Sequence, residues 1–171
     1  MVDYIETALG SLIIRPASEA DTAAFGAILR DAQAWLVEHG TSQWVPGAHD
    51  PNVITQIIAG GTGYVVEHEG QVIATCRLTW VLPPHWENCF ENVGYLGTLN
   101  VARDYMGYGI GKAVIRWAEA EMRARGKAEA CLDCYASNDE LSAYYERLGY
   151  QAVGEVETYP GYSERMFHKP L

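Results

Sequence analysis

The run Val101-Ala102-Arg103-Asp104-Tyr105-Met106-Gly107-Tyr108-Gly109-Ile110-Gly111-Lys112 passes from strand-like residues through three alternating glycines into a helical pattern. Missing side chains let a backbone approach an anion, and the amides of a helix start supply positive potential, so this segment can bind a diphosphate. It also fits a tight strand-to-helix connection with no ligand. Dinucleotide binding is a poorer fit. Glu129 stands about twenty residues on, but Gly107-x-Gly109-x-Gly111 lacks the required spacing and sits in mid-chain.

The thiols offer less. Cys131 and Cys134 have a spacing seen in redox and zinc sites, yet Ala130-Cys131-Leu132-Asp133-Cys134-Tyr135 reads as a strand. Positions three apart on a strand point to opposite faces, so these thiols diverge and read as buried packing groups, with no metal expected.

Around these groups the pattern predicts a strand over 12–16 and a helix from a Ser18 cap to about His39 carrying Phe25, Ile28, Leu29, Leu36 and Val37. A turn-rich loop over 40–51 and a short helix over 53–59 follow. Strands over 64–67 and 72–80 flank Glu69-Gly70 as an antiparallel hairpin, and another strand covers 93–101. A helix from Gly109 to about Arg125 turns Ile110, Ala113, Val114, Trp117, Ala120 and Ala124 inward. A strand over 129–135, a helix over 139–148 and strands over 151–158 and 163–167 complete the chain. This order predicts an α/β fold, a mixed sheet covered by helices, in one domain spanning 1–171.

Met106-Gly107-Tyr108-Gly109-Ile110-Gly111 resembles the coenzyme A motif of the GCN5-related N-acetyltransferase superfamily: Arg or Gln, two residues, Gly, one residue, Gly or Ala. Met106 is the departure, removing a possible charged contact. Asn138-Asp139-Glu140-Leu141-Ser142-Ala143-Tyr144-Tyr145-Glu146-Arg147-Leu148-Gly149-Tyr150 is similar to the family's Asn, helix, Tyr-Glu-x-x-Gly-aromatic segment. With Leu12-Ile13-Ile14-Arg15-Pro16 and Tyr162-Ser163-Glu164-Arg165-Met166-Phe167, the likeness covers nearly the whole chain.

The resemblance implies a mainly antiparallel sheet with a splayed strand pair, and acetyl transfer from acetyl-coenzyme A to an amine without a metal. It puts the pyrophosphate on the backbone of Gly107, Tyr108, Gly109, Ile110, Gly111 and Lys112, the pantetheine arm along Leu99, Asn100 and Val101, and Asn138 and Tyr145 beside the cofactor. Lys112 can partly replace the charge lost at Met106, or stand solvated in the first helical turn.

The resemblance also casts Tyr145 as the acid near the thioester sulfur, a role a phenol protonated at neutral pH can fill; Tyr144 is the alternative. An acceptor amine with a pKa near 10 is neutral at pH 7 only at a cost of roughly 4 kcal/mol, so a base or water relay is needed. Glu91, before the fourth strand of the family fold, is the leading candidate, with Glu87 and His85 behind it. Trp35, Trp44, Trp80, Trp86 and Tyr95 border the acceptor side, as core or as an aromatic pocket, with Gln43-Trp44 similar to a feature of some small-molecule acetyltransferases.

A formal charge of −10 on 171 residues argues against nucleic acid and favours cationic partners. No basic segment followed by an apolar run opens the chain and no stretch is long enough to cross a bilayer, so a cytoplasmic protein without a membrane partner is expected. A small-molecule amine is the expected acceptor, with a protein N-terminus or lysine as the enzymatic alternative and a non-catalytic coenzyme-A-binding protein as the other. Pairing is common in this family, so a homodimer is expected.

Overall fold

The structure is a computed structural model and describes residues 2–40, 50–87 and 89–171. In chain order it runs β1 (Asp3–Thr7), β2 (Gly10–Pro16), α1 (Thr22–Glu38), α2 (Pro51–Ala59), β3 (Gly63–His68), β4 (Gln71–Thr79), β5 (Val93–Val101), α3 (Ile110–Ala124), β6 (Glu129–Tyr135), α4 (Asp139–Arg147), β7 (Gln151–Tyr159) and β8 (Tyr162–Pro170). The strands form one mixed sheet in the order β1-β2-β3-β4-β5-β6-β8-β7, in which, among the described residues, only β5 and β6 run parallel. The expected α/β layering is present.

Alternation along the strands divides the core. Val66, Leu96, Leu132 and Phe167 pack beneath α3 and α4 with Val114, Ile115, Met122 and Tyr145. Val65 turns to the other face, under Phe25, Leu29, Ile54 and Ile57 of α1 and α2. Farther along that second face Trp86 seals Val93, Tyr95, Cys131 and Met166. Cys131 and Cys134 therefore do diverge, and burial pushes their thiols up to about 12 and about 11.

Three local expectations change. β1 was not expected, because a strand at the sheet edge buries only Ile5 and leaves no alternation to read. The second helix starts at Pro51, not 53, since the Asp50 side chain accepts from Asn52 N–H and proline suits a first helical turn. On α3 the buried stripe is Ile110, Val114, Ile115, Ala118, Glu119 and Met122, while Ala120 and Ala124 are exposed. Contact with the sheet sets this rotation: a Cβ on Gly94 of β5 would meet Met122 Cγ at 2.3 Å, so glycine lets the helix lie close. Lys169 of β8 fixes the same face, donating to Glu119 at 2.8 and 3.0 Å.

Ser18 does cap the entry to α1, through a 3-10 turn. Its backbone N–H and hydroxyl both donate to Asp21 Oδ2, and Arg15 grips the same carboxylate through both terminal nitrogens. That guanidinium holds the Asp21 carboxyl well below the usual range.

Candidate active site

The parallel pair β5/β6 holds together only at Val93–Glu129, Gly94–Ala130 and Tyr95–Cys131. Beyond Tyr95 the strands part. β5 is bent there by a bulge: Arg77 of β4 faces Gly97 and Thr75 faces Asn100, so Thr98 and Leu99 together oppose Cys76, with Thr98 at φ +46°. Leu99, Asn100 and Val101 are half-buried along this opened edge, where β6 offers them no ladder partner. Thr98 Oγ1 and Asn100 Nδ2 are buried without a hydrogen-bond partner among the described residues. Orphaned polar atoms beside an open strand edge suit an amide-bearing ligand such as a pantetheine arm.

The glycine turn leads from β5 into α3. Gly107 and Gly109 have φ +84° and +78°, values that disfavour side chains, and a Cβ at either would meet nothing within 4 Å, leaving the approach to their backbone open. Ala8 N–H donates to Tyr108 O, tying the turn to the β1–β2 connection. α3 begins with Gly109 at its cap and no side-chain cap, so the amides of the helix start face outward. Ile110 is buried, Gly111 half-buried and Lys112 exposed; Met106 and Tyr108 stand exposed at the rim. Lys112 also lines a groove between α3 and α4 with Arg116, Arg147 and Lys169, adding positive charge beside the helix start.

α4 is capped by Asn138, whose side-chain oxygen accepts from Leu141 N–H. The helix sends its two tyrosines different ways. A Cβ on Gly111 would lie 3.6 Å from the Tyr144 hydroxyl oxygen, so Tyr144 leans toward the glycine turn. Tyr145 is buried among Tyr144, Tyr150 and Phe167. Burial pushes its hydroxyl far above the ordinary range, and the charges of Cys134 and Asp133 add to that.

On the α1/α2 face, past the last β5/β6 pair, lies a cluster of acids with one imidazole. Asp133 of β6 accepts from Tyr95 Oη at 2.8 Å and Trp86 Nε1 at 2.9 Å. His85 Nε2 lies 3.1 Å from Asp133 Oδ2 and 3.0 Å from Glu164 Oε2 of β8. That Glu164 oxygen is buried and makes no well-aligned hydrogen bond. Burial and the charge of Asp133 push the Glu164 carboxyl up to about 7, although His85 works against them. Burial opposes protonation of His85, but its hydrogen bond to Asp133 and the charges of Glu164 and Asp133 outweigh that and raise it. The imidazole nitrogen and the two carboxylate oxygens lie within 4.8 Å of one another, close enough to share a proton.

Of the expected bases, the structure brings only His85 to this cluster. Glu91 is exposed, two residues before Val93 at the end where β5 and β6 are still paired, and Glu87 is exposed on the 3-10 turn that buries Trp86. Asp133 and Glu164 were not singled out from sequence. A carboxylate between buried residues of a strand was the available signal for Asp133; for Glu164 the half-buried strand pattern gave none. Among the aromatic rings, Trp86 and Tyr95 wall the cluster, whereas Trp80 packs on the opposite face under Arg125. Trp35 sits on α1 beneath Arg103, and Gln43 and Trp44 lie outside the described residues.

The wider likenesses agree with this geometry. Residues 28–150 match the sequence model of the acetyltransferase (GNAT) family. The uncharacterized N-acetyltransferase YesJ of Bacillus subtilis (strain 168) is 29% identical over 157 residues, 87% of each chain. A GNAT-family acetyltransferase from Listeria monocytogenes 4b F2365 superposes with a TM-score of 0.83 at 25% identity, covering 99% of this chain and 100% of that one. PaiA N-acetyltransferase from Thermoplasma acidophilum, solved with coenzyme A, shares the fold with a TM-score of 0.72 at 17% identity over 94% and 99% of the two chains. With the parted strands, the glycine turn and a family match over most of its length, the chain belongs to the acetyltransferase (GNAT) family.

Proposed function

We propose that this protein transfers an acetyl group from acetyl-coenzyme A to the amine of a small molecule, in a direct reaction with both substrates bound. The observation that carries the reading is the arrangement around α4: its Tyr144 leans to the glycine turn while its Tyr145 is buried with Cys134, Tyr150 and Phe167 over β6, the strand from which β5 parts. In this reading a diphosphate rests on the backbone from Gly107 to Lys112, with Lys112, Arg116 and Arg147 available to the anionic end of the cofactor. Asn100 and the opened edge of β5 receive the pantetheine amides. The coenzyme A complex of the PaiA acetyltransferase supports this use of the fold.

The amine nitrogen forms a bond to the thioester carbonyl carbon, and the carbon–sulfur bond breaks with its electron pair on sulfur. Tyr145 stays protonated because burial disfavours its phenolate, so it is a hydrogen-bond donor to the departing thiolate. A thiol with an ordinary pKa near 8.5 is the stronger acid of the two, so complete transfer of the phenolic proton is uphill and a short hydrogen bond is the larger contribution. Incubation with isotopically labelled acetyl-coenzyme A and a metabolite extract identifies the acceptor: the reading expects labelled acetamides of small amines, and an extract left unlabelled while added peptides become acetylated would reject the small-molecule assignment.

A further inference from the structure

We infer that His85, Asp133 and Glu164 form the acceptor-ammonium site, in which the Glu164 carboxylate takes the proton that a primary alkylamine must lose before it attacks. The inference rests on the acetyl-transfer reading above and assigns that reaction a proton acceptor and a substrate class.

Three observations lead to it. Asp133 of β6 lies beyond Cys131, where β5 and β6 have parted, and Glu164 of β8 and His85 of the β4–β5 connection meet it there within 4.8 Å. Within it the roles differ. Asp133 is fully engaged by Trp86, Tyr95 and His85, which suits a fixed anchor. Glu164 keeps a buried oxygen with no aligned donor, which suits a group that meets a ligand. Finally, the site is anionic in a chain of formal charge −10, so it attracts a cation and repels a carboxylate.

The titratable groups in electrostatic reach of Glu164 come from its neighbouring elements: Asp133 and, from the other side of the strand, Cys134 of β6, Tyr95 of β5, His85 of the β4–β5 connection and Tyr162 at the start of β8 itself. Burial first, then the charge of Asp133, against the opposing charge of His85, push the carboxyl up to about 7. Against an amine of pKa about 10, a carboxyl near 7 leaves about one bound amine in a thousand deprotonated, whereas an ordinary glutamate leaves about one in a million. The step balances. One ammonium N–H bond breaks and its proton moves to Glu164, the freed lone pair forms the N–C bond, and the C–S bond breaks. A second nitrogen proton neutralises the sulfur, and Glu164 returns its proton to solvent.

The same charges define the acceptor class: a primary alkylamine without a carboxylate on its α-carbon, since that carboxylate would face Asp133 and Glu164.

The test is a carbon-13 titration of the glutamate side-chain carboxyls in protein saturated with coenzyme A, with Glu164→Gln identifying the Glu164 resonance. In potassium chloride the resonance should titrate near pH 7, butylammonium chloride of equal ionic strength should move that inflection down by at least about half a unit, and norvaline should move it much less. His85→Gln removes the neighbouring cation and should move it up. Identical titrations in butylammonium and potassium overturn the inference, as does an inflection unmoved by His85→Gln. Zinc chloride that binds one per chain and removes the inflection while butylammonium does not would show a metal site instead. Acetylation of butylamine is followed in parallel: turnover with an unchanged Glu164 titration overturns the proton-acceptor role alone, and a shifted titration with no acetylation of any amine overturns the transferase reading and this role with it.

Discussion

Tyr95 and Cys131 are the last partners between β5 and β6, and everything assigned to chemistry lies on the side where those strands have separated. A parallel pair normally continues its ladder; here the Thr98–Leu99 bulge against Cys76 turns β5 aside, and its edge toward β6 is left without ladder partners beyond Tyr95.

At the α3 end, Gly109→Asp adds a negative side chain at a φ of +78° where the diphosphate is proposed to rest. Coenzyme A affinity measured by calorimetry should fall at least about tenfold in a variant whose circular dichroism is unchanged. An unchanged dissociation constant would remove the glycine turn from the binding site.

Met106 tests the same end in the opposite direction. It is exposed at the rim, so Met106→Arg adds a charge without disturbing the core. Coenzyme A should bind roughly two- to fivefold tighter at low salt, with the gain shrinking as salt rises. A gain that ignores salt would point to packing instead of charge.

Glu164 links the site to stability. Its carboxyl is raised to about 7 in the fold, so between its ordinary value near 4.3 and that point the folded state binds more protons and stability falls as pH rises. His85 acts in the same sense, because a raised imidazole gives stability present below about 6.5 that is lost as pH climbs through its folded value. Glu164→Gln removes the carboxyl contribution and weakens the second. The variant should therefore gain on wild type by roughly 3–6 °C in Tm between pH 5 and pH 8. Parallel Tm curves for the two proteins would contradict the raised carboxyl.

Much of this was legible from the residues themselves. The glycines from Gly107 to Gly111 and the Asn138-to-Tyr150 segment carry local signals, because a turn and a helix cap depend on neighbours in sequence. β1 was missed because one buried residue, Ile5, makes no period. The family resemblance points to Glu91 as the proton acceptor, with Glu87 and His85 in the preceding loop, yet Glu91 precedes the end of β5 that is still paired with β6. The cluster that the fold assembles joins residues 85, 133 and 164, and only the register of β6 against β8 brings Asp133 and Glu164 to one face. No local pattern encodes such a meeting.

The most direct test of the central claim is a single-turnover experiment: release of coenzyme A thiol from bound acetyl-coenzyme A, followed with and without the acceptor amine, in wild type and Tyr145→Phe. The ring of Tyr145 packs against Tyr150 and Phe167, so the substitution keeps the packing and removes the hydroxyl. Amine-dependent release in wild type is expected, slowed about ten- to a hundredfold in the variant with coenzyme A affinity little changed. Release that does not depend on any amine, or a chemical step within twofold of wild type in Tyr145→Phe, would contradict acetyl transfer assisted by that hydroxyl.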